Sequence, residues 1–443
     1  MNKLINDLFR PIDATWLAFF RIAFGLLMLF DIVQYFQRGW IQENYIDPIY
    51  HFKFYGFNWV QQLPGNGMFI YFFILALLSI CIILGYKFRF AIFSFFLGYT
   101  YMWLIDITLF VEWNYLISLI AFLLTFSPAG KIYSLDNILS KKENIPSAPL
   151  WILFILRFQF AVVYIFGGIH KLNPDWIKGD LVRGWLAYGY SVPFFGKIVS
   201  HNEWLIQFLT WLGIGIDLLI VPLLLIRASR PWALAIAILF HLHNAHRFLV
   251  DIFPFFMIAG TYLFLDPQLF QNFFKNKNRT NILPAEKTFF NQRKNVIVAL
   301  IIMYCFFQIT IPLRHLFYPG NPNWTEEGVR FSWFLYTRHK YAEIQFTVVD
   351  QEDATYVLNK NSILSILTPR QYYYLSTYPH CILQFSHFLN QHLTQQGMKV
   401  KKIMANSLVQ MNMREPQPII DPNANLLEFK ESLAHKNWIN PVY

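Results

Sequence analysis

Up to about residue 314, apolar residues come in long uninterrupted runs separated by short polar loops, and little of this part alternates. Runs of about 20 residues are long enough to cross a bilayer as helices. They lie near Ala14–Tyr35, Gly67–Leu84, Phe90–Phe110, Tyr115–Phe126, Pro149–Ile169, Trp204–Ile226, Trp232–Leu242, Phe248–Leu265 and Asn295–Leu313. This pattern predicts about nine spans. The fourth and seventh runs are short, and are read as tilted, extended by flanking turns, or buried within the bundle.

After Arg314 the pattern changes. Alternation over Tyr341–Val349 and Thr355–Leu358 predicts strands, and Val400–Met411 again reads as extended. Pro369–Gln396 reads as one long helix with Tyr372–Tyr374, Ile382, Phe385 and Phe388 forming its apolar stripe. The expected boundary divides a transmembrane helical domain, 1–314, from a soluble α+β domain, 315–443.

Charge supplies the orientation. Lys and Arg gather in alternate loops: Lys3, Arg10, Lys87, Arg89, Lys131, Lys141, Lys142, Arg227 and Arg230, then Lys275, Lys277, Arg279, Lys287, Arg293 and Lys294. The opposite loops hold fewer: Arg38, Lys53, the group from Lys171 to Arg183, Lys197 and Arg247. The positive-inside rule then puts the N-terminus in the cytoplasm. Lys171, the His241–His246 turn and the segment after Arg314 fall on the outer side. The fold class is a polytopic α-helical membrane protein with a C-terminal extracytoplasmic soluble α+β domain.

Composition agrees. Only 14% of residues are charged, against about a quarter in a soluble domain. The net charge of +10 is scattered over loops, so it argues for topology and not for nucleic acid. Cys81, Cys305 and Cys381 are too few for a disulfide framework. The first apolar run is long enough to span and has no small-residue cleavage site, so it reads as a span and not as a cleaved signal.

The densest chemistry lies in Leu156–Gly179 (LRFQFAVVYIFGGIHKLNPDWIKG), a helix stopped at Asn173-Pro174. At 100° per residue, Arg157, Tyr164, Gly168 and Lys171 share one stripe. A rise of 1.5 Å per residue separates Arg157 from Lys171 by roughly 21 Å along the axis. Ionisable groups at such depth usually face a protein interior or a cavity. The bland alternative is a snorkelling lysine and an arginine bonded to carbonyls. Asp217, mid-span in WLGIGIDLLIVPLLL, needs a buried partner, whether its role is chemical or only to join two helices. His241, His243 and His246 in FHLHNAHRF suggest a metal, but no third ligand or second shell accompanies any pair, so none is assigned. Asn323-Trp324-Thr325 has the glycosylation pattern, a short and unspecific one.

Several stretches together resemble the vitamin K-dependent gamma-carboxylases and their bacterial relatives, the horizontally transferred transmembrane domain (HTTM) proteins. They are RPIDATWLAFFRIAFGLLMLFDI at Arg10–Ile32, YLISLIAFLLTF at Tyr115–Phe126, and LRFQ, VVY and GIHKLNPDW within Pro149–Gly179. The Asp217 helix, FHLHN and NPNWTEEGVRFSW at Asn321–Trp333 extend the likeness over most of the first 335 residues. The resemblance implies a peptidyl-glutamate 4-carboxylase-like lyase in the membrane. Such an enzyme couples oxygenation of reduced vitamin K (menaquinol or phylloquinol) to its epoxide with carboxylation of a protein or peptide glutamate. Oxygen and carbon dioxide would be co-substrates, lipid and quinone the membrane partners, and no metal or nucleic acid is called for.

The resemblance maps the base that deprotonates the hydroquinone onto Lys171, with His170 its basic neighbour. Arg157, Gln159, Tyr164, His241 and Asn244 are then the residues expected to hold the cofactor, with Asp217 and Trp176 supporting the pocket. One position departs from the family. A histidine usually precedes the YL of the fourth span, and Trp113-Asn114 stands there instead. That histidine is associated with carboxylation, so quinone oxygenation is the half implied more directly. Two other readings stay open: an epoxidase without carboxylation, and a membrane transporter or lipid-binding scaffold with Lys171 and Asp217 as pathway charges. Against the transporter, no pair of Gly/Pro-broken helices recurs in matching halves.

Overall fold

The computed structural model describes residues 2–140, 147–187, 202–248, 251–267, 269 and 293–442. Lys141, Lys142, Lys197, Lys275, Lys277, Arg279 and Lys287 of the charge argument lie outside them. Helix predominates, and every apolar run contains a helix. Thr15–Gln37, Gly67–Leu84, Leu150–Lys171, Glu203–Leu225 and Lys294–Phe317 are long and apolar enough to cross a membrane. Phe88–Leu104, Glu112–Thr125, Arg230–Phe248 and Phe253–Thr261 are shorter or more polar. The protein is a multi-pass membrane protein. Apolar side chains remain exposed on the outward faces, Phe90 at 70% and Phe306 at 59% among them, as a surface solvated by lipid requires.

Several ends differ from the sequence reading for local reasons. The seventh run grows to Arg230–Phe248, so the polar His241–His246 segment is helix and not a turn. The eighth starts at Phe253 because Pro254 takes a first-turn position, where its missing N–H costs nothing. The predicted single helix over Pro369–Gln396 is two helices, Pro369–Thr377 and Pro379–Gln395. Tyr378 between them is extended (φ −118°, ψ 111°) because the Pro379 ring disfavours helical backbone before it.

In the C-terminal domain a four-stranded antiparallel sheet has the order Thr355–Leu358, Lys340–Asp350, Val400–Met411, Gln417–Pro418. Phe346 pairs with Ala405 and Val348 with Ile403, so period-two apolar residues line one face. The two helices cover that face, with Phe346 and Phe385 ring centroids 5.3 Å apart. Asn323 is buried and accepts from Thr337 at 2.8 Å, so the glycosylation pattern is closed off in the folded chain.

The domain grips the bundle by polar contacts that leave no periodic trace in the sequence. Gln371 Nε2 donates to Asp106 at 2.8 Å and to the Tyr50 carbonyl at 2.7 Å. Arg370 donates to the Thr108 carbonyl, and the Tyr50 and Phe388 rings lie 4.3 Å apart. Asn412 and Arg414 both donate to Asp175, in the turn that follows Lys171.

Glu326 is the strongest electrostatic tie inside this domain. It accepts from Arg338 at 2.6 and 2.5 Å and from Lys340 at 2.7 Å, all three side chains being nearly inaccessible. Burial pushes the Glu326 carboxyl up, but Arg338 and Lys340 pull it down further and hold it below its ordinary value of 4.5. A depressed carboxyl adds stability above its unfolded pKa of about 4.3 and loses it as pH falls through the folded value. Glu326→Gln should therefore cost about 3–5 kcal/mol at pH 7, since it strands two buried cations. Thermal unfolding of the purified protein at pH 7 and pH 4 checks this, the gap between variant and wild type narrowing at the lower pH.

Candidate active site

The helix Leu150–Lys171 is buried along most of its length and ends two residues before the Asn173-Pro174 stop. At its last turn Lys171 Nζ donates to Asp217 Oδ2 on the helix Glu203–Leu225. The two side chains are 8% and 9% exposed, so this is a buried ion pair and not a snorkelling lysine. Gly168 lets the helices come this close, whereas Gly167 would accept a Cβ at ordinary contact distance. A Cβ on Gly168 would meet Leu218 at 2.6 Å and Asp217 Cβ at 3.2 Å. One on Gly167 would come within 3.6 Å of Asp217 Oδ2. Trp176 covers the amine, its ring centroid 5.3 Å from Nζ, and its indole N–H donates to the Thr210 carbonyl at 3.3 Å.

Two turns back, the Tyr164 hydroxyl lies 2.5 Å from His241 Nε2 and 3.3 Å from Thr261 Oγ1. Gln159 is fully buried and accepts from the Tyr304 hydroxyl at 2.6 Å. Arg157 stands apart. Its Nε donates to the Leu263 carbonyl at 2.8 Å and its Nη2 to Leu265 at 3.1 Å. Those bonds tie it to the end of a neighbouring helix, at the far end of the stripe from Lys171. Asn244 is half-buried one turn beyond His241, while His243 and His246 are exposed. Among the described residues no group of three metal-ligating side chains forms.

The structure adds a segment the sequence reading did not single out as part of the site. Between Glu326 and Tyr336, four non-glycine residues have left-handed backbone: Glu326, Phe331, Trp333 and Tyr336, with φ from 56° to 63°. Each costs roughly 1–2 kcal/mol, and such strain gathers at functional sites. The contorted segment turns aromatic rings into the bundle. Phe334 stacks on His170 at 3.8 Å and 14°, Trp333 stacks on Tyr115 at 5.4 Å, and Leu335 borders Gly167. In the sequence this stretch stood out only as part of the family resemblance, NPNWTEEGVRFSW.

Several buried polar atoms here have no hydrogen-bond partner: His170 Nε2, His241 Nδ1, Gln159 Nε2 and Trp333 Nε1. Orphaned groups of this kind are uncommon. Aromatic rings lie beside two of these atoms' side chains, Phe334 against His170 and Phe240 and Phe253 near His241, features suited to a flat ligand with oxygen substituents.

Residues 9–268 match the model of the HTTM domain, well over half of the chain. Residues 293–443 match that of the vitamin K-dependent gamma-carboxylase lumenal domain. The chain belongs to the vitamin K-dependent gamma-carboxylase family. No solved structure matches it. The two matches meet in the region between residues 268 and 293, so the lumenal-domain match takes in the helix Lys294–Leu313 as well as the sheet. The second match, to a lumenal domain, suits an extracytoplasmic C-terminal part. Against the gamma-carboxylase pattern, Trp113 is half-buried and its ring stacks on Phe253 at 5.5 Å and 26°. An indole there can pack but cannot shuttle a proton as an imidazole would.

Proposed function

We propose that this protein is a membrane carboxylase-like enzyme that oxygenates a reduced naphthoquinone and couples this to carboxylation of a glutamyl side chain. The observation that carries the reading is the buried Lys171–Asp217 pair closing the central helix of a gamma-carboxylase-family chain. Its catalytic part is residues 1–314, with residues 315–443 resting on the outer mouth and the Arg227–Arg230 loop on the cytoplasmic side.

Bound reduced vitamin K supplies, with oxygen, the strong base that removes a γ-proton from glutamate, and the resulting carbanion takes up carbon dioxide. The chain's own residues do the rest. Lys171 passes the ion-pair proton to Asp217 and, as the free amine, accepts a hydroxyl proton at Nζ, so that the pair then holds both protons. Trp176 walls the amine and keeps it from water. Gln159, His170 and His241 hold the ligand through the polar atoms left unpaired, Tyr164 positions His241 through its hydroxyl, and Asn244 lies one turn beyond His241. Arg157, whose donors are engaged by carbonyls, braces the helix end. The strained Glu326–Tyr336 segment is the stopper that excludes solvent.

A second reading, quinone epoxidation without carboxylation, is favoured by one observation, the packed Trp113 in place of the histidine. One experiment separates them. Purified protein in lipid receives reduced menaquinone, oxygen, labelled bicarbonate and a glutamate peptide, with epoxide and carboxylated peptide scored separately. Both products support coupling, epoxide alone supports the second reading, and neither product from folded protein overturns both.

A further inference from the structure

His241 is 2% exposed, and its two ring nitrogens are used unequally. Nε2 faces the Tyr164 hydroxyl at 2.5 Å, whereas Nδ1 has no partner. The Tyr164 hydroxyl lies 3.3 Å from Thr261 Oγ1, which donates to the Met257 carbonyl at 2.8 Å. Counting hydrogens gives this chain a direction. Thr261 has one, and the Met257 carbonyl takes it, so Oγ1 can only accept from Tyr164. Tyr164 then spends its one hydrogen on Thr261 and can only accept from His241. Nε2 therefore carries the imidazole hydrogen, and Nδ1 is left with a bare lone pair. The reverse order would strand a buried N–H donor at Nδ1, the rarer and costlier defect. A doubly protonated ring would be a buried cation, and the nearby Asp217 is already engaged by Lys171.

Two aromatic rings lie edgewise to this imidazole, Phe240 at 5.2 Å and 66° and Phe253 at 6.5 Å and 84° between centroids, and Trp113 stacks on Phe253. An unpaired acceptor beside aromatic rings matches a flat aromatic ligand bearing a hydroxyl. We infer that His241 Nδ1 accepts a hydrogen bond from a ring hydroxyl of the reduced naphthoquinone. The Thr261–Tyr164 chain locks the imidazole in the accepting tautomer. The oxidised quinone and its epoxide have no ring hydroxyl to give, so this one atom makes the site prefer the reduced ligand over its product. The inference rests on the quinol reading above and adds a redox-state selector to it.

The test uses protein labelled with ¹⁵N at histidine, in lipid nanodiscs, with the His241 signals assigned by their loss in His241→Asn. The probes are a 2-methyl-3-alkyl-1,4-naphthohydroquinone kept reduced, and its dimethyl ether. Binding is followed independently by tryptophan fluorescence. The expected spectrum has an unprotonated Nδ1 and a protonated Nε2. The hydroquinone should move the Nδ1 signal and the ether should not. Tyr164→Phe should give a mixture of tautomers, because nothing then selects one. His241→Phe should weaken hydroquinone binding about tenfold while His241→Asn, whose carbonyl can replace Nδ1, should stay within about threefold. A protonated Nδ1 in the free protein, or bound hydroquinone that leaves Nδ1 unchanged, overturns the inference while the proposed function stands. Failure of the hydroquinone to bind wild type at all defeats both.

Discussion

Lys171→Ala should reduce epoxide formation from a reduced naphthoquinone by about 10²–10⁴-fold, the range typical for removal of a general base. Two effects meet in that substitution and must be separated. The amine that would take the proton is gone, and the Asp217 carboxylate is left alone among apolar helices. A buried charge deprived of its partner destabilises by about 3–5 kcal/mol, so loss of activity alone could reflect loss of fold. The double variant Lys171→Met/Asp217→Leu removes both charges and refills the space. It should unfold at nearly the wild-type temperature and remain inactive. In Lys171→Ala itself, a small primary amine added to the assay should restore part of the rate by occupying the vacated position. Epoxidation by the double variant at more than a tenth of the wild-type rate would sink the assignment of the base.

Asp217→Ala carries the second large effect, this time on stability. It strands the Lys171 ammonium 6% exposed beside Trp176, and the expected loss is again about 3–5 kcal/mol. Thermal unfolding in detergent or nanodiscs should show it as a clear drop in midpoint. Asp217→Asn should lose less, because its amide oxygen still accepts from the amine. Turnover should fall in both, since neither side chain can take the proton that Lys171 must release before it acts as a base. If Asp217→Ala unfolded at the wild-type midpoint, the pair would be a contact of no energetic weight, and the architecture argued for the site would be wrong.

How far the sequence carried this account follows from which forces leave a periodic trace. Apolar helices were legible because bilayer-length burial of backbone demands continuous apolar runs, and each run contains a helix. Strands in Lys340–Asp350 and Val400–Met411 were legible because one buried face forces alternation. The break at Tyr378–Pro379 was missed because an apolar stripe continues across it, although the proline alone should have ended the helix. Lys171 and Asp217 each announced a buried charge, but their pairing spans 46 residues and no spacing rule could supply it. The same holds for Asp175 with Arg414, and for Glu326 with Arg338 and Lys340. Arg157 shows the opposite error. Its place on the stripe suggested the pocket, whereas the carbonyls of Leu263 and Leu265 claim it. The left-handed turns of Glu326–Tyr336 were invisible because bulky residues in that conformation have no sequence signature.

The most direct test of the central claim, that Lys171 acts as a proton acceptor and not merely as a positive charge, is the rate of epoxide formation by Lys171→Arg. A guanidinium can keep the ion pair with Asp217 and so preserve the fold, but it stays protonated at any accessible pH. The account predicts a folded protein, with unfolding midpoint close to wild type, whose epoxidation falls by at least about 10²-fold. Near-normal epoxidation by that variant would contradict it, and the base would have to be sought at His170 or His241.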